Sequence, residues 1–414
     1  MNHFFRKLNF NKYEITYFII LIFLLIISFF ILIPTDSSPI GVGSPLLGIG
    51  DRIFYINETA KGYGYEEYSG NFLYPFVLKF VSLITSLFGQ DQYSKLWNLI
   101  VILITSTFSI ISLRFLKISS GLLFNKKVSD ISCLLYIVNP YTYFYSLSGG
   151  ITNYIIVGVS TILFLFCNAY KNGYRITESN NTIDIFFSSL ICIYLSFLRP
   201  PGSIFAYVIL IFFLKGSFKN IFHNKKNLLI KVINLGLLIF ALIIVSYNFI
   251  SVWDYMNSNI DIFSSETGNF FGYQRELLRD KLRLDNLDTF ENIKSFFYYV
   301  LWKITEFVAG LSDIRDTHSA YTSDNLLPFF LRTFNGIFIL FPLNIFSLLG
   351  LITSIKFILK YDIGILILAS FFAIMPSIIG VAFSRFLIMF YPTFLIFSAK
   401  SINTFIEGIK INNE

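Results

Sequence analysis

One short stretch holds the residues best suited to acid–base work. It reads Gly48-Ile-Gly-Asp51-Arg52-Ile-Phe-Tyr55, and Glu58, Ala60, Gly62, Tyr65, Glu66, Glu67 and Tyr68 follow. A carboxylate serves as a general base when it comes within hydrogen-bond reach of a hydroxyl, and weakly polar surroundings raise its pKa toward a working range. Asp51 is the candidate base. The same residue also fits a salt-bridged or capping role in an ordered loop. Asp51, Glu58, Glu66 and Glu67 could supply oxygen ligands to a divalent cation, although the pattern demands none.

Arginines form a second constellation. Arg199 lies in Leu198-Arg-Pro-Pro-Gly202, Arg385 in Phe383-Ser-Arg-Phe386, and Arg332 beside another long apolar run. The planar guanidinium fork binds phosphate oxygens at two points. At the edge of a membrane an arginine is costly unless it pairs or faces water. Three at one level fit a phosphate group held there, and each alone also fits snorkelling to lipid headgroups. Arg315 and His318 stand in the titratable cluster Asp313-Ile-Arg-Asp-Thr-His-Ser319, and no second His or Cys accompanies them to build a metal site. Arg275, Glu276, Arg279, Asp280 and Arg283 have the spacing of a solvated helix with internal ion pairs. The chain has no P-loop, no GxGxxG, no HExxH and no CxxC, so nucleotide-driven chemistry within it is not expected.

The elements that must hold these residues are apolar. Of 414 residues 55% are hydrophobic and 14% charged, against about 25% charged in soluble domains, and the mean hydropathy is +0.67. Ile15–Pro34 carries no charge across about the thickness of a hydrocarbon core. Basic residues precede it, as before a signal peptide, but its length and the recurrence of such runs indicate a first transmembrane helix. Candidate spans fall at 15–34, 96–116, 130–147, 151–169, 183–198, 202–215, 229–250, 332–355, 363–383 and 386–405. The expectation is an all-α polytopic membrane protein, 1–414 forming one membrane domain with about ten spans. The shorter apolar stretches 72–89 and 295–311 are expected at the membrane surface or as re-entrant pieces. Cys133, Cys167 and Cys192 each sit in an apolar run and read as core residues.

Charge sets the orientation. Segments 1–14, 114–130, 170–184, 215–231, 356–362 and 400–414 together hold 18 Lys and Arg against 7 Asp and Glu. Short basic loops face the cytoplasm, so both termini are expected inside, in an inner (plasma) membrane. The opposite side then carries two large loops, 35–95 with an interfacial helix and 251–331. Long loops of this kind are usually functional, which puts the chemistry on the non-cytoplasmic face. The net charge of +7 belongs to this asymmetry, and no nucleic-acid partner is expected.

The pattern resembles the GT-C superfamily of polyprenyl-phosphate-dependent glycosyltransferases, of the protein-mannosyltransferase and aminoarabinose-transferase type. The likeness rests on Gly50, Asp51 and Tyr55 in a loop after one span, on Tyr74-Pro75 leading to Phe88-Gly89, on Asn139-Pro140 before the aromatic patch Tyr141–Tyr145, and on Ser384-Arg385 through Tyr391-Pro392. It implies a lipid-phosphate-linked sugar as donor, a glycan or lipid hydroxyl as acceptor, Asp51 as the catalytic carboxylate and Arg385 as a phosphate contact. Arg52, Tyr55, Glu66, Glu67, Arg199, Arg315, His318 and Arg332 are the further substrate-binding candidates. The acidic pair common in that superfamily reads Asp51-Arg52 here. O-antigen and exopolysaccharide polymerases share the two large loops with arginines in them, yet their Arg-x10-Gly spacing is absent after Arg199 and Arg275. A lipid-linked sugar flippase is the non-enzyme alternative. It would line its spans with charge, and these spans carry almost none.

Overall fold

The computed structural model describes residues 11–27, 73–90, 94–147, 149–179, 181–223, 227–258, 294, 301, 336–360, 362–379 and 389–412. Among these residues the structure is helical, with no strand. The helices are α1 (Lys12–Ile27), α2 (Leu73–Ser86), α3 (Lys95–Leu123), α4 (Lys126–Val138), α5 (Pro140–Leu147), α6 (Thr152–Lys171), α7 (Thr182–Ser196), α8 (Pro200–His223), α9 (Leu228–Ser258), α10 (Phe341–Thr353), α11 (Ile355–Lys360), α12 (Ile363–Ile379) and α13 (Tyr391–Asn412). A 3-10 turn at Ile176–Glu178 follows α6, and a π-helical turn at Gly336–Leu340 leads into α10.

Side-chain capping fixes several starts. The Ser94 side chain accepts from Trp97 N, that of Asn125 from Val128 N and that of Asn181 from Ile183 N, each satisfying one of the donors a helix N-terminus leaves open. The expected span 130–147 is two helices. Asn139 is extended, with φ −73° and ψ 110°, as a residue before proline prefers, and Pro140 has no N–H with which to continue α4. Elsewhere helices outrun the expected spans: α8 continues through Lys215 and Lys219 to His223, and α13 reaches Asn412. Lys is a good helix former, so these basic segments are largely helix ends rather than open loops.

Four stretches are long and apolar enough to cross a membrane: Leu96–Leu123, Thr152–Lys171, Pro201–Ile221 and Leu228–Ile250. Leu73–Ser86, Thr182–Ser196, Phe338–Thr353 and Ile363–Met375 are apolar but shorter. Of the ten expected spans, then, four meet that standard within the described residues. The outer surface fits an apolar solvent. α1 buries Tyr13, Glu14, Tyr17 and Leu21 along one stripe and exposes Phe18, Ile19, Ile22, Phe23 and Ile26. α9 exposes Leu229, Val232, Phe240, Ile243 and Tyr247. Continuous apolar faces of this kind are not left against water.

Packing centres on α3 and α6, which run parallel, as Thr105 meets Asn153, Phe108 meets Tyr154 and Phe115 meets Phe164. From α6 the bundle continues through α7 to α8 and α12, and from α3 through α4 to α13, while α12 also touches α6 and α13. α9 lies against α7 and α8, α10 against α13, and α1 and α2 against α3. The α10–α13 contact is close because a Cβ at Gly350 would collide with the Phe397 carbonyl. The three cysteines are buried in this core.

The described parts of the six basic segments meet at one end of the bundle. Glu14 pairs with Arg114, Lys127 with Glu407 at 3.2 Å, and Lys400 donates to Ser354 Oγ at 2.6 Å. Phe357 lies between Phe124 and Tyr170, its ring centroid 5.7 and 5.4 Å from theirs. Asp362 Oδ2 accepts from Thr177 N at 3.1 Å and Thr177 Oγ1 at 2.8 Å. Lys219 pairs with Glu178 at 2.8 Å, and Lys231 donates to the Asn220 carbonyl at 2.8 Å.

Candidate functional site

The opposite end is built around the α7–α8 turn, which carries Arg199. Phe197 N bonds to Ile193 O at 3.2 Å and Leu198 N to Leu195 O at 3.2 Å, closing α7. The Arg199 carbonyl then accepts from Gly202 N at 2.8 Å and Ser203 N at 3.2 Å, opening α8. Pro200 and Pro201 occupy the first positions of α8, where a missing N–H costs nothing. Side chains brace the turn from beneath: Ser203 Oγ donates to Ser196 O at 3.0 Å, and Asn248 Nδ2 reaches across from α9 to Ser196 Oγ at 3.0 Å. Gly202 packs so closely on the Leu195 carbonyl that a Cβ would collide with it. Arg199 is thereby held partly exposed at the rim, where its guanidinium can engage an anion at two points.

Two residues join this turn to the first large loop and to the α5–α6 turn. Leu73, the first residue of α2, gives its N–H to Phe197 O at 3.3 Å. Tyr74, fully buried, donates its phenol to Gly149 O at 2.8 Å. Gly149 holds φ +65°, a left-handed backbone that glycine adopts without strain. The Tyr74 ring meets Tyr154 edge-on at 5.5 Å, and the Tyr154 carbonyl accepts from Tyr194 of α7 at 2.9 Å. The start of α2, the turn at Gly149 and the Arg199 turn therefore converge.

Between the two ends runs a buried chain of uncharged polar groups that sequence reasoning missed. Tyr136 Oη, Ser109 Oγ and Tyr17 Oη are linked at 2.8 and 2.6 Å, and Tyr17 Oη continues to Ser146 Oγ at 3.4 Å. Asn153 Nδ2 donates to Ser146 Oγ at 2.9 Å, and Thr105 Oγ1 donates to Ser146 O at 2.6 Å. Five helices are tied together: α1, α3, α4, α5 and α6. Hydrogen bonds of this kind replace the hydrophobic effect as the specific glue between helices in an apolar solvent. The signal available in sequence was the spacing Thr105, Ser109, Ser112, one face of α3.

Of the expected site residues, the structure describes Arg199. Asp51, Arg52, Tyr55, Glu66, Glu67, Arg315, His318, Arg332 and Arg385 lie outside the described residues, as does Glu58. No group of three or more His, Cys, Asp and Glu side chains suited to a metal ion occurs among the described residues. At the basic end Tyr174 donates to Asp184 Oδ2 at 2.7 Å. Burial, then the hydrogen bond and negative charge of Asp184, push the Tyr174 phenol above its usual range.

No protein-family model matches the chain, and no curated protein does. Among solved structures it is similar to an archaeal oligosaccharyltransferase, AglB from Archaeoglobus fulgidus, in complex with an inhibitory peptide and a dolichol-phosphate. The TM-score is 0.47 at 12% identity, over 97% of this chain and 51% of the other. The chain thus spans about half the length of that protein, and a likeness at this level carries no functional argument.

Proposed function

We propose that the chain is a membrane glycosyltransferase that moves a sugar from a polyprenyl-phosphate carrier to an envelope glycan or lipid acceptor on the non-cytoplasmic face. The observation that carries the reading is the hydrogen bond from Leu73 N to Phe197 O. It ties the start of α2, which follows Asp51 in the first large loop, to the turn containing Arg199, at the end of the bundle away from the basic segments. A base and a phosphate-binding group on these two elements are what transfer from a lipid phosphate needs.

In this reading Asp51 takes the proton of the acceptor hydroxyl. The acceptor oxygen attacks the anomeric carbon, the bond from that carbon to the phosphate oxygen breaks, and the electron pair leaves with the polyprenyl phosphate. Arg199, Arg332 and Arg385 would stabilise the charge developing on that phosphate, the kind of term that dominates when a leaving group is anionic. Arg52, Tyr55, Glu66, Glu67, Arg315 and His318 are the remaining candidates for holding donor and acceptor. The basic end then faces the cytoplasm, with both termini, in agreement with the charge count.

The test is transfer by the purified protein in nanodiscs from a panel of radiolabelled polyprenyl-phosphate and polyprenyl-pyrophosphate sugars. Transfer of a single sugar from a monophosphate carrier, lost in Asp51→Asn, is the expected result. Growth of chains from pyrophosphate-linked oligosaccharides would replace the proposal with a polymerase. Inactivity of the folded protein with every donor would replace it with transport or a structural role.

A further inference from the structure

The two residues that open α2 complete backbone groups belonging to other elements. The carbonyls at the end of a helix have no partner within it, and an unmet carbonyl at the edge of an apolar phase costs more than one in water. Phe197 O, at the end of α7, is met by Leu73 N at 3.3 Å. Gly149 O, in the turn before α6, is met by Tyr74 Oη at 2.8 Å. The first bond also uses one of the N–H groups that α2 cannot satisfy itself. The α5–α6 turn is in turn anchored from below, because Ser146 is held by both Thr105 and Asn153. Tyr74 has no exposure, and its ring is set against Tyr154, which is itself packed on Phe108 at 4.9 Å.

We infer that Tyr74 is a positioning residue for the transfer reaction, fixing the start of α2 to the α5–α6 turn beside the bond that Leu73 makes to the Arg199 turn; this rests on the transferase reading above. The phenol makes no contact with substrate in this role. It holds the start of α2, the first described element after Asp51 in the chain. Reaction rates respond steeply to positioning, since a misplacement of about 1 Å between reacting groups can cost about a hundred-fold. Leu73 contributes through its backbone, which leaves Tyr74 as the side chain that substitution can address.

Tyr74→Phe keeps the ring and deletes the hydrogen bond, and two readouts follow. In nanodiscs, turnover should fall about ten-fold or more while the donor KM stays within about two-fold, the signature of lost positioning rather than lost binding. Separately, cysteines introduced at Leu73 and Phe197 should cross-link efficiently in the full chain, the native thiols being buried, and less efficiently when Tyr74→Phe is added. Parent-like turnover in Tyr74→Phe, or an unchanged cross-link, would overturn the proposal. Absence of transfer from the parent with every donor would remove the transferase reading and Tyr74's role in turnover with it, and the cross-link would still report whether the phenol pins α2.

Discussion

Glu14 and Arg114 form a two-point ion pair between α1 and α3, Nε to Oε1 at 2.7 Å and Nη2 to Oε2 at 2.8 Å, with the carboxylate wholly buried. One residue comes from the start of the chain and the other from the far half of α3, so the pair fixes how the first helix sits on the bundle. Glu14 also caps its own helix start, accepting from Asn11 N at 3.0 Å.

Breaking a buried pair on one side strands a charge, which typically costs about 3–5 kcal/mol, whereas replacing both partners is often nearly neutral. Arg114→Met should therefore lower the unfolding temperature in detergent sharply. The Glu14→Gln, Arg114→Met double variant should regain most of the loss. A single variant as stable as the parent would show that the pair contributes specificity of contact only.

Asp51→Asn should abolish transfer with insertion and folding intact, and retained activity would remove Asp51 from the mechanism. Arg385→Ala should weaken donor binding, and unchanged donor affinity would sink that role. Arg199→Ala tests the described part of the site. The turn is closed by backbone bonds and by Ser196, Ser203 and Asn248, so folding should survive. Donor binding should weaken by about ten-fold or more, as for a hydrogen bond to a charged group.

How much of this was legible in sequence depended on the range of the interaction. Unbroken apolar runs located α3, α6, α7, α8 and α9 because an apolar solvent leaves a continuous signal. The break at Asn139-Pro140 falls inside the expected span 130–147, since hydropathy averages across a single proline. Glu14 was counted among loop charges, and composition cannot tell a solvated carboxylate from one bonded to an arginine 100 residues away. Arg199 could be placed at a membrane edge from its flanking apolar residues. The bond from Leu73 N to Phe197 O in the same turn could not be read, because backbone pairing between distant segments leaves no mark on residue type. The Tyr17–Ser109–Tyr136 chain was hidden for a related reason. Serine in an apolar helix looks the same whether it faces lipid or a neighbouring hydroxyl.

Alkaline pH should weaken the fold in part through Tyr174. Its phenol is raised in the folded state, so between the unfolded value of about 10 and the folded one the native chain holds a proton that the unfolded chain has lost. The stabilisation is present below about pH 10 and disappears as pH rises further. Unfolding measured from pH 8 to 12 should show a shallower alkaline loss in Tyr174→Phe than in the parent. Parallel profiles would mean that the Tyr174–Asp184 contact does not survive in solution.

The gathering of the six basic segments at one end makes a prediction about sidedness that involves no chemistry of transfer. Lys127 joins Glu407, Phe357 lies between Phe124 and Tyr170, and Lys219 reaches Glu178, so the segments must share one side of the membrane whichever side that is. Gly149 and Phe197 are joined through α2 at the other end. Single cysteines at Lys127, Lys219 and Lys356 should react with an impermeant maleimide only when the cytoplasmic face is opened. Cysteines at Gln90, exposed beside the start of α3, and at Arg199 should react in intact cells once the outer barrier is permeabilised. If the two sets are reversed, the bundle stands and the orientation taken from charge is wrong. If members of one set label from different sides, the common end itself is wrong, and with it the convergence of the first large loop on Arg199.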